Sequence, residues 1–398
     1  MKRVRLIDVA KESWIKKNRA GNTAVPNHIV IKVTPLCNMK CMYCYSNNNE
    51  ARQSFIDPYY VASLLEQIFS IGSTYKVRCV FHGGEPMLGM NIITKTIDIL
   101  KNKYYYDRIE FHIQTNGTLI SQNNIEYLEK IISSVGISLD GVGHINDLTR
   151  KFINDNGTFS AVEESINLLK MHNIPFGVLS VATKYNIEYL KDFVSWCAEH
   201  DIYSIGIEPL LLAGRGAGCK DLIVTPEKYW FEMKKVLDYV IDYNKKCPFD
   251  QRILIRDFET VARKIMNKYC KNMCSEVPCG AGREHITLNY DGKVYICDTF
   301  TDNTKYCIGD IQIHHIKEML ESPILSEFYQ RSLDNNRICN RCSMRKYCLV
   351  GCIGKTMMET GENDINARST LCYYYHNLAE YLLEKHYDGL DMNLLANL

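Results

Sequence analysis

The sequence carries almost no net charge and no long hydrophobic run. Its 398 residues include 47 lysines and arginines against 46 aspartates and glutamates, so charge does not indicate a nucleic-acid-binding protein. No apolar stretch approaches the roughly 20 residues that cross a bilayer. The basic start of the chain lacks the apolar segment of a secretory signal. We therefore expect a cytoplasmic protein that binds neither membranes nor nucleic acid.

Cysteine, in contrast, is abundant and unevenly distributed. The chain has 17 cysteines, an odd number in a long sequence without an export signal, which favours metal ligation over disulfides. Residues 270–372 hold ten of them, and a separate group, Cys37, Cys41 and Cys44, has the spacing C-x3-C-x2-C. Three thiolates are one short of the complement of a four-iron cluster, so one iron would stay open for another ligand.

Short β-rich runs alternate with amphipathic helical runs through residues 28–224. This alternation, repeated about six times, predicts parallel βαβ units in an α/β fold. We expect right-handed connections and a sheet curled into a partial (β/α)6 barrel. Ligands bind at the carboxyl ends of the strands in such barrels. The cysteine triplet and the segments 82–86, 114–118 and 138–141 follow the first four predicted strands in turn.

The rest of the chain is expected to form four further parts. They are an N-terminal arm (residues 1–27), a helical bridge (225–269), a cysteine-rich and loop-rich domain (270–375), and a C-terminal helix and tail (376–398). Within the cysteine-rich part, residues 285–289 and 294–297 flank a Tyr-Asp-Gly turn, which predicts a β-hairpin.

The cysteine triplet, with aromatic residues on both sides of Cys44, resembles the radical SAM superfamily. The resemblance implies that the open iron binds the amino and carboxylate groups of S-adenosylmethionine. It also implies that a reduced cluster cleaves this cofactor to methionine and a 5′-deoxyadenosyl radical, which removes hydrogen from an inert C–H bond. The alternatives are three structural thiols or a zinc site completed by Asp8 or His28.

Segments at the predicted strand ends are similar to those that bind S-adenosylmethionine in this superfamily. The segment Gly83-Gly84-Glu85-Pro86 matches the one that binds the methionyl amino group, and its glycines let the backbone approach a ligand closely. An ordinary βα turn is the alternative. The resemblance adds four residues around the cofactor: Thr115, Asn116, Ser138 and Asp140. Ser138 would contact the carboxylate or the ribose of the cofactor, whereas Asp140 could instead serve only in a turn.

The second group of cysteines resembles the SPASM domain, which holds auxiliary iron–sulfur clusters in radical SAM enzymes that modify peptides. By similarity to the anaerobic sulfatase-maturating enzymes, one auxiliary cluster would be held by Cys274, Cys279, Cys297 and Cys352, and the other by Cys339, Cys342, Cys348 and Cys372. Cys270 is the alternative to Cys274, and a zinc-ribbon-like domain is the alternative to the whole interpretation. The expected cofactors are S-adenosylmethionine and three 4Fe–4S clusters.

The resemblance implies a maturase that abstracts hydrogen from a peptide or protein side chain. The first expectation is a thioether, ether or carbon–carbon crosslink in a ribosomal peptide. The alternatives are oxidation of cysteine or serine to formylglycine, and peptide epimerisation with Cys219 as a candidate hydrogen donor. Asp298 matches the proposed base of the sulfatase-maturating enzymes, although a role in turning the chain would also explain it.

Two non-enzymatic interpretations stay open at this point, an iron–sulfur electron carrier and a zinc-binding module. The electron carrier does not need the segment that follows the second predicted strand, so the presence of this segment argues against that interpretation, whereas metal analysis would distinguish the zinc-binding module. The expected partners are a peptide or protein substrate and an electron donor such as flavodoxin or ferredoxin. Because residues 1–27 look too short for a leader-binding domain, we expect either a separate leader-peptide-binding protein as a further partner or a reaction that needs no leader recognition. Exposed clusters oxidise, so the chemistry requires low oxygen.

Overall fold

The computed structural model describes residues 25–46, 54–72, 76–269, 272–361 and 364–396. Its strands are β1 (His28–Thr34), β2 (Val77–Gly83), β3 (Ile109–Thr115), β4 (Ser134–Ser138), β5 (Phe176–Ala182), β6 (Ser204–Pro209), β7 (Leu254–Ile255), β8 (His285–Leu288), β9 (Lys293–Tyr295) and β10 (Cys307–Asp310). Its α-helices are α1 (Pro58–Ile71), α2 (Met90–Lys101), α3 (Ile125–Ile131), α4 (His144–Asp147), α5 (Phe159–Met171), α6 (Leu190–Glu199), α7 (Pro226–Asn244), α8 (Arg256–Ile265), α9 (Ile316–Met319), α10 (Pro323–Tyr329), α11 (Arg337–Asn340), α12 (Ile353–Thr360) and α13 (Cys372–Tyr387). None of these helices is long and apolar enough to cross a bilayer.

All ten strands form one sheet, in the order β10-β9-β8-β1-β2-β3-β4-β5-β6-β7. The strands β1 to β6 are parallel neighbours in chain order, which confirms the predicted partial (β/α)6 barrel. On β1, Ile29, Ile31 and Val33 lie in the hydrophobic core. Side chains alternate across a strand, so His28 and Lys32 lie on the opposite, inner face. That inner face is polar and leads to the carboxyl ends of the strands.

The sheet continues beyond the six predicted strands on both sides. On one side, β7 pairs with β6 in parallel, inside a stretch predicted as a helical bridge. Asn244, which is fully buried, ends α7, and its side-chain amide makes two hydrogen bonds of 2.9 and 2.8 Å with the backbone of Ile253. These bonds stop the helix and direct the chain into the short strand, an effect that hydrophobic periodicity does not reveal.

On the other side, the predicted hairpin of β8 and β9 joins the barrel sheet. β8 pairs with β1 in parallel, with four residue pairs from His28↔His285 to Ile31↔Leu288. β9 and β10 follow in antiparallel order, and β10 was not predicted. The cysteine-rich part of the chain is therefore fixed to the first strand of the barrel by backbone hydrogen bonds.

The last helix packs across the two helices of the predicted bridge. α13 begins at Cys372, whereas the sequence pattern indicated residue 376. The hydroxyl of Tyr374 donates to Asp257 at 3.0 Å, and the hydroxyl of Tyr381 donates to Asp238 at 2.5 Å. These two bonds join α13 to α8 and α7, so the thiol of Cys372 has a fixed place relative to the barrel.

The contact between β8 and β1 gives the first test. Ile286 is fully buried in β8 and lies opposite Ile29, so Ile286→Ala should lower the free energy of unfolding by about 2–5 kcal/mol. Ile313, 77% exposed, is the matched control, and its replacement by alanine should change stability by less than about 0.5 kcal/mol. Anaerobic urea titration measures both. Equal effects of the two substitutions would contradict the core position of β8.

Candidate active site

The loop after β1 carries Cys37, Cys41 and Cys44, and a second backbone segment holds it in place. The amide of Lys40 donates to the carbonyl of Lys151 at 2.9 Å, and the amide of Met42 donates to the carbonyl of Thr149 at 2.9 Å. Cys41 lies between these two bonds. Backbone hydrogen bonds therefore hold the loop on both sides of Cys41, and this limits the positions that the thiols of Cys37 and Cys44 can take.

The three thiols of this loop are close enough to affect one another. Burial raises the pKa of Cys37 to about 12, and the charges of Cys41 and Cys44 contribute. Burial also raises the pKa of Cys41, and Arg150 opposes this while Cys44 adds to it. Grouped thiolates become favourable when a metal ion neutralises them. The donor set therefore fits an iron–sulfur cluster with three protein ligands.

A buried polar network supports the same loop. Arg150 donates to the hydroxyl of Tyr43 at 2.9 Å, and that hydroxyl donates to Asp140. The carboxylate of Asp140 also accepts from the hydroxyl of Thr149 at 3.1 Å and from the amide of Val181 at 2.9 Å. Protein groups thus engage both oxygens of Asp140, which acts as an anchor for the loop. Its predicted contact with the cofactor stays a prediction.

The glycine pair at the end of β2 runs directly against the cysteine loop. The amide of Gly84 donates to the carbonyl of Thr34 at 2.7 Å, and the amide of Glu85 donates to the carbonyl of Leu36 at 2.7 Å. A Cβ on Gly84 would lie 2.1 Å from the oxygen of Leu36, and Gly83 has a φ of +143°. Only glycine permits this approach, which explains the motif without any bound ligand and leaves its predicted ligand contact open.

Glu85 ties the ends of β2 and β3 together. Its fully buried carboxylate accepts from the hydroxyl of Thr115 at 2.7 Å, from the amide of Asn116 at 2.8 Å and from the amide of Met87 at 3.0 Å. The side chain of Asn116 in turn donates to the thiol of Cys37 at 3.8 Å. The predicted cofactor segments therefore form one connected rim around the cysteine loop. Pro86 begins the short 3-10 turn that follows.

Ser138 lies at the end of β4 on the polar inner face. Its hydroxyl accepts from the side-chain amide of Gln114 at 3.3 Å, and the side chain is only partly buried. Of the residues predicted to contact the cofactor, Ser138 keeps the most freedom to meet a ligand. This contact also stays a prediction.

The remaining predicted ligand cysteines fall into two spatial groups. The thiol of Cys274 is enclosed by protein although the residue reaches the surface, and this desolvation raises its pKa, as do the charges of Cys279 and Cys352. Burial raises the pKa of Cys297, and Asp298, Cys352 and Cys274 add to it. The structure therefore brings together the four cysteines of the first predicted auxiliary site. Cys270, the alternative ligand, lies outside the described residues.

The other group surrounds a cavity of about 40 Å³. Burial raises the pKa of Cys348 to about 11, and the charges of Cys372 and Cys342 contribute. All sixteen described cysteines are free thiols, so no disulfide competes with metal binding among them. The cavity fits a bound group, and its wall includes Cys339, Cys342, Cys348 and Cys372. That either group of four cysteines binds an iron–sulfur cluster stays a prediction. The same holds for the triplet of Cys37, Cys41 and Cys44.

Asp298 lies between the hairpin and the barrel. His285 places Nε2 3.5 Å from its carboxylate, and the thiol of Cys297 donates to it at 3.3 Å. Burial raises the pKa of Asp298, but the hydrogen bond from His285 and the charges of Lys32, His285 and His82 outweigh this and hold the pKa well below its usual range. The carboxyl is therefore ionised, and it lies between His285 and the thiol of Cys297.

Three side chains next to Asp298 were missed by sequence reasoning. Lys32 is 5% exposed, and its ammonium donates to the hydroxyl of Tyr45 at 2.7 Å. That hydroxyl lies 3.5 Å from Nε2 of His82, whose pKa falls to about 3 because of burial and the charge of Lys32. A lysine in the middle of an apolar strand was the available signal. This lysine places a cation beside Tyr45 and Asp298, the residues that follow Cys44 and Cys297.

The zinc alternative for the triplet finds no support in the position of His28. This residue begins β1, whereas Cys37 follows the end of the strand. Strands rise about 3.3 Å per residue, so His28 is too far away to complete a site there. It contacts His285 instead, with 2.7 Å between the two Nδ1 atoms. Asp8, the other suggested ligand, lies outside the described residues.

The fold and the three groups of thiols define an iron–sulfur protein built on a partial barrel. Residues 31–197 match the family model described as the radical SAM superfamily, and residues 279–343 match that of SPASM, an iron–sulfur cluster-binding domain. The chain therefore contains a radical SAM domain and a SPASM domain. It is an enzyme whose cofactors are S-adenosylmethionine and 4Fe–4S clusters, three being the usual number in SPASM enzymes.

Known proteins resemble the chain over most of its length. It is 25% identical to a cysteine-type anaerobic sulfatase-maturating enzyme of Clostridium perfringens, over 87% of this chain and 93% of that protein. It is 26% identical to a serine-type enzyme of Bacteroides thetaiotaomicron, over 90% of this chain and 91% of that protein. The solved structure of anSMEcpe with bound AdoMet has a TM-score of 0.79 at 24% identity and covers 91% of this chain and 94% of that chain, which shows a shared fold.

The close approach of Gly84 to Leu36 gives the second test. In Gly84→Ala the new methyl group pushes the end of β2 away from the cysteine loop, so the formation of 5′-deoxyadenosine should fall at least tenfold. Gly218→Ala is the matched control, because a Cβ there meets nothing within 4 Å. Chromatography of reactions reduced with dithionite measures the product. Equal activity of the two variants would show that the contact does not matter.

The grouping of the thiols gives the third test. Three four-iron clusters require about twelve irons per chain. Replacing Cys37, Cys41 and Cys44 with alanine should remove about four of them and abolish 5′-deoxyadenosine formation. Cys307→Ala is the control, since this thiol donates to the carbonyl of Gly309 at 3.3 Å and belongs to no group. Metal analysis after anaerobic purification measures the iron content. Zinc in place of iron would refute the assignment of these cysteines as iron–sulfur ligands.

Proposed function

We propose that the protein oxidises a cysteine or serine side chain in a peptide or protein to formylglycine. The observation that carries this proposal is the position of the Asp298 carboxylate, which lies 3.5 Å from Nε2 of His285 and 3.3 Å from the thiol of Cys297. Several relatives that span most of the chain are sulfatase-maturating enzymes, of both the cysteine and the serine type, and this supports the same reaction. Crosslinking of ribosomal peptides, the first expectation from sequence, has less support.

The reaction must balance in atoms and electrons. When held at the rim around the cysteine loop, S-adenosylmethionine would supply the radical chemistry by which the β-carbon of the substrate loses one hydrogen atom. The substrate must then lose one proton and one further electron. A serine gives the aldehyde directly, whereas a cysteine gives a thioaldehyde that adds water and releases hydrogen sulfide. The site therefore needs a proton acceptor and a route for one electron.

Asp298 can serve as this proton acceptor. Its carboxylate stays charged because Lys32 and His285 lie close to it. Lys32 is held in turn by the hydroxyl of Tyr45, so the cation cannot move away when the charge on Asp298 changes. Positioned bases of this kind accelerate proton transfer by about 10²–10⁴-fold.

The proposal extends to partners and location. A one-electron donor such as flavodoxin or ferredoxin would start the reaction, and a reducing cytoplasm with little oxygen would protect the exposed cluster edges. A need for a separate leader-peptide-binding protein would favour crosslinking of a ribosomal peptide over formylglycine formation. A dependence on such a partner therefore distinguishes the two reactions.

The identity of the product tests the proposal directly. The holoenzyme, dithionite and S-adenosylmethionine are incubated with two synthetic peptides that differ only in a single cysteine or serine. Mass spectrometry should show loss of two hydrogens from serine, or replacement of the thiol and a hydrogen by oxygen in cysteine, and a hydrazide should trap the aldehyde. Loss of two hydrogens from either peptide, with no aldehyde, would indicate crosslinking. Uptake of solvent deuterium at the α-carbon without a mass loss would indicate epimerisation.

The role of Asp298 gives a separate test. Asp298→Asn removes the proton acceptor, so the rate of aldehyde formation should fall by about 10²–10⁴-fold, while iron content and 5′-deoxyadenosine formation stay near those of the unmodified protein. Asp302→Asn makes the same charge change four positions later in the sequence and should retain most of the aldehyde formation. Full aldehyde formation by Asp298→Asn would exclude Asp298 as the base.

A further inference from the structure

A basic surface patch covers the outer wall of the third group of thiols. Residues 331–346 contain five lysines and arginines and a single acidic residue, in a chain with 47 basic and 46 acidic residues overall. We define the basic patch by four exposed residues, of which three lie in this segment and the fourth is Arg368: Arg337, Arg341, Lys346 and Arg368. The chain as a whole is balanced in charge, but this part of its surface is not.

Neighbouring acidic groups do not neutralise the patch. The one carboxylate in the segment, Asp334, already pairs with Arg345 at 2.6 Å. Among the residues that the structure describes, no ion pair involves the four residues of the patch. The lysines of α7 differ in this respect, because Lys228 and Lys234 pair with Glu232 and Asp238 at 2.9 and 2.8 Å. The patch therefore retains an unusual local positive potential.

The patch adjoins the thiol cavity through Arg368, the one of its four residues that lines the cavity. Ile338, an apolar side chain that is 54% exposed, and Arg368 both line the cavity. Burial raises the pKa of Cys372, and the charge of Arg368 and its hydrogen bond to the thiol oppose this. The thiols of Cys339 and Cys372 are only partly enclosed by protein. Of the three groups, this one therefore lies directly under a charged surface.

We propose that the basic patch docks a small acidic one-electron carrier protein of the flavodoxin type. The carrier would lose one electron and the third thiol group, with its bound cluster, would gain one, and no covalent bond would change. The inference rests on the proposed function, because that reaction must exchange electrons with an outside donor. Complementary charge speeds the encounter of two proteins, arginine is enriched in protein interfaces, and Ile338, next to Arg337 in the sequence, offers an exposed apolar contact.

The test reverses the charge of the patch without touching any thiol. The variant Arg337→Glu/Arg341→Glu/Lys346→Glu is compared with Lys130→Glu/Lys191→Glu/Lys246→Glu. The control makes the same change in net charge at exposed lysines outside the patch that form no described ion pair. Calorimetry with the anaerobic holoenzyme and oxidised flavodoxin measures the Kd. The patch variant should bind at least tenfold more weakly, whereas the control should bind like the unmodified protein.

Two kinetic measurements separate this inference from the proposed reaction. Reduction of the holoenzyme by photoreduced flavodoxin should slow at least tenfold in the patch variant. Its formation of 5′-deoxyadenosine with dithionite should stay normal, because dithionite needs no docking surface. This pair of results supports docking even if no aldehyde is ever found, so the two proposals can fail independently. A neutral variant, Arg337→Gln/Arg341→Gln/Lys346→Gln, should give an intermediate rate if charge is the cause.

Three outcomes would overturn the inference. One is an unchanged flavodoxin Kd in the patch variant, and another is an equal loss in the control variant. The third is a preference for a different polyanion, seen as tighter binding of duplex DNA or of vesicles containing an anionic lipid than of flavodoxin at the same ionic strength. Weakening of the flavodoxin complex by added salt should accompany true charge-driven docking, and salt-independent binding would count against it.

Discussion

The pairing of β8 with β1 is the constraint on which the rest of the site depends. β1 leads into the loop of Cys37 and thus fixes the thiol triplet, while its free edge accepts the hairpin from the cysteine-rich part of the chain. Without this edge pairing, Asp298 would have no defined position relative to Lys32. The four residue pairs therefore join the barrel and the cysteine-rich part of the chain into one site. We call this site the chamber; it contains Lys32 from the barrel and Asp298 from the cysteine-rich part.

The charges in that chamber and its rim are arranged in compensating sets. Lys32 and His285 lie near Asp298, and Arg150 lies near the carboxylate of Asp140 through Tyr43. A buried ion without a partner is strongly destabilising, which explains why each of these groups has a neighbour of opposite charge or a hydrogen-bonding partner. The same rule applies to the grouped thiols, whose raised pKa values mark positions where a cationic metal body lowers the energy.

The sequence predicted the six barrel strands because each one alternates with a helix in a regular pattern. It also located the segments at the strand ends, since glycine at Gly83 and Gly84 is required by a close backbone approach. It did not predict the partner of β8, because alternation identifies a strand and not the edge to which it pairs. β7 was missed for a related reason: its position depends on the side chain of Asn244, which acts through two long-range hydrogen bonds rather than through periodicity.

The path of the chain also limits the distance between the patch and the chamber. Cys348 and Cys352 belong to different groups, yet only three residues separate them, so their Cα atoms lie within about 14 Å of each other. The connection is tighter than that limit, because Val350 and Gly351 both have positive φ values, +66° and +80°, and the amide of Val350 turns back to donate to the thiol of Cys348 at 3.3 Å. Cys297, in the same group as Cys352, is adjacent to Asp298. The group that contains Cys348 therefore lies next to the group that contains Cys352 and Cys297, and the latter lies next to Asp298. The short connections in the sequence place the two groups in this order between the basic patch and the carboxylate.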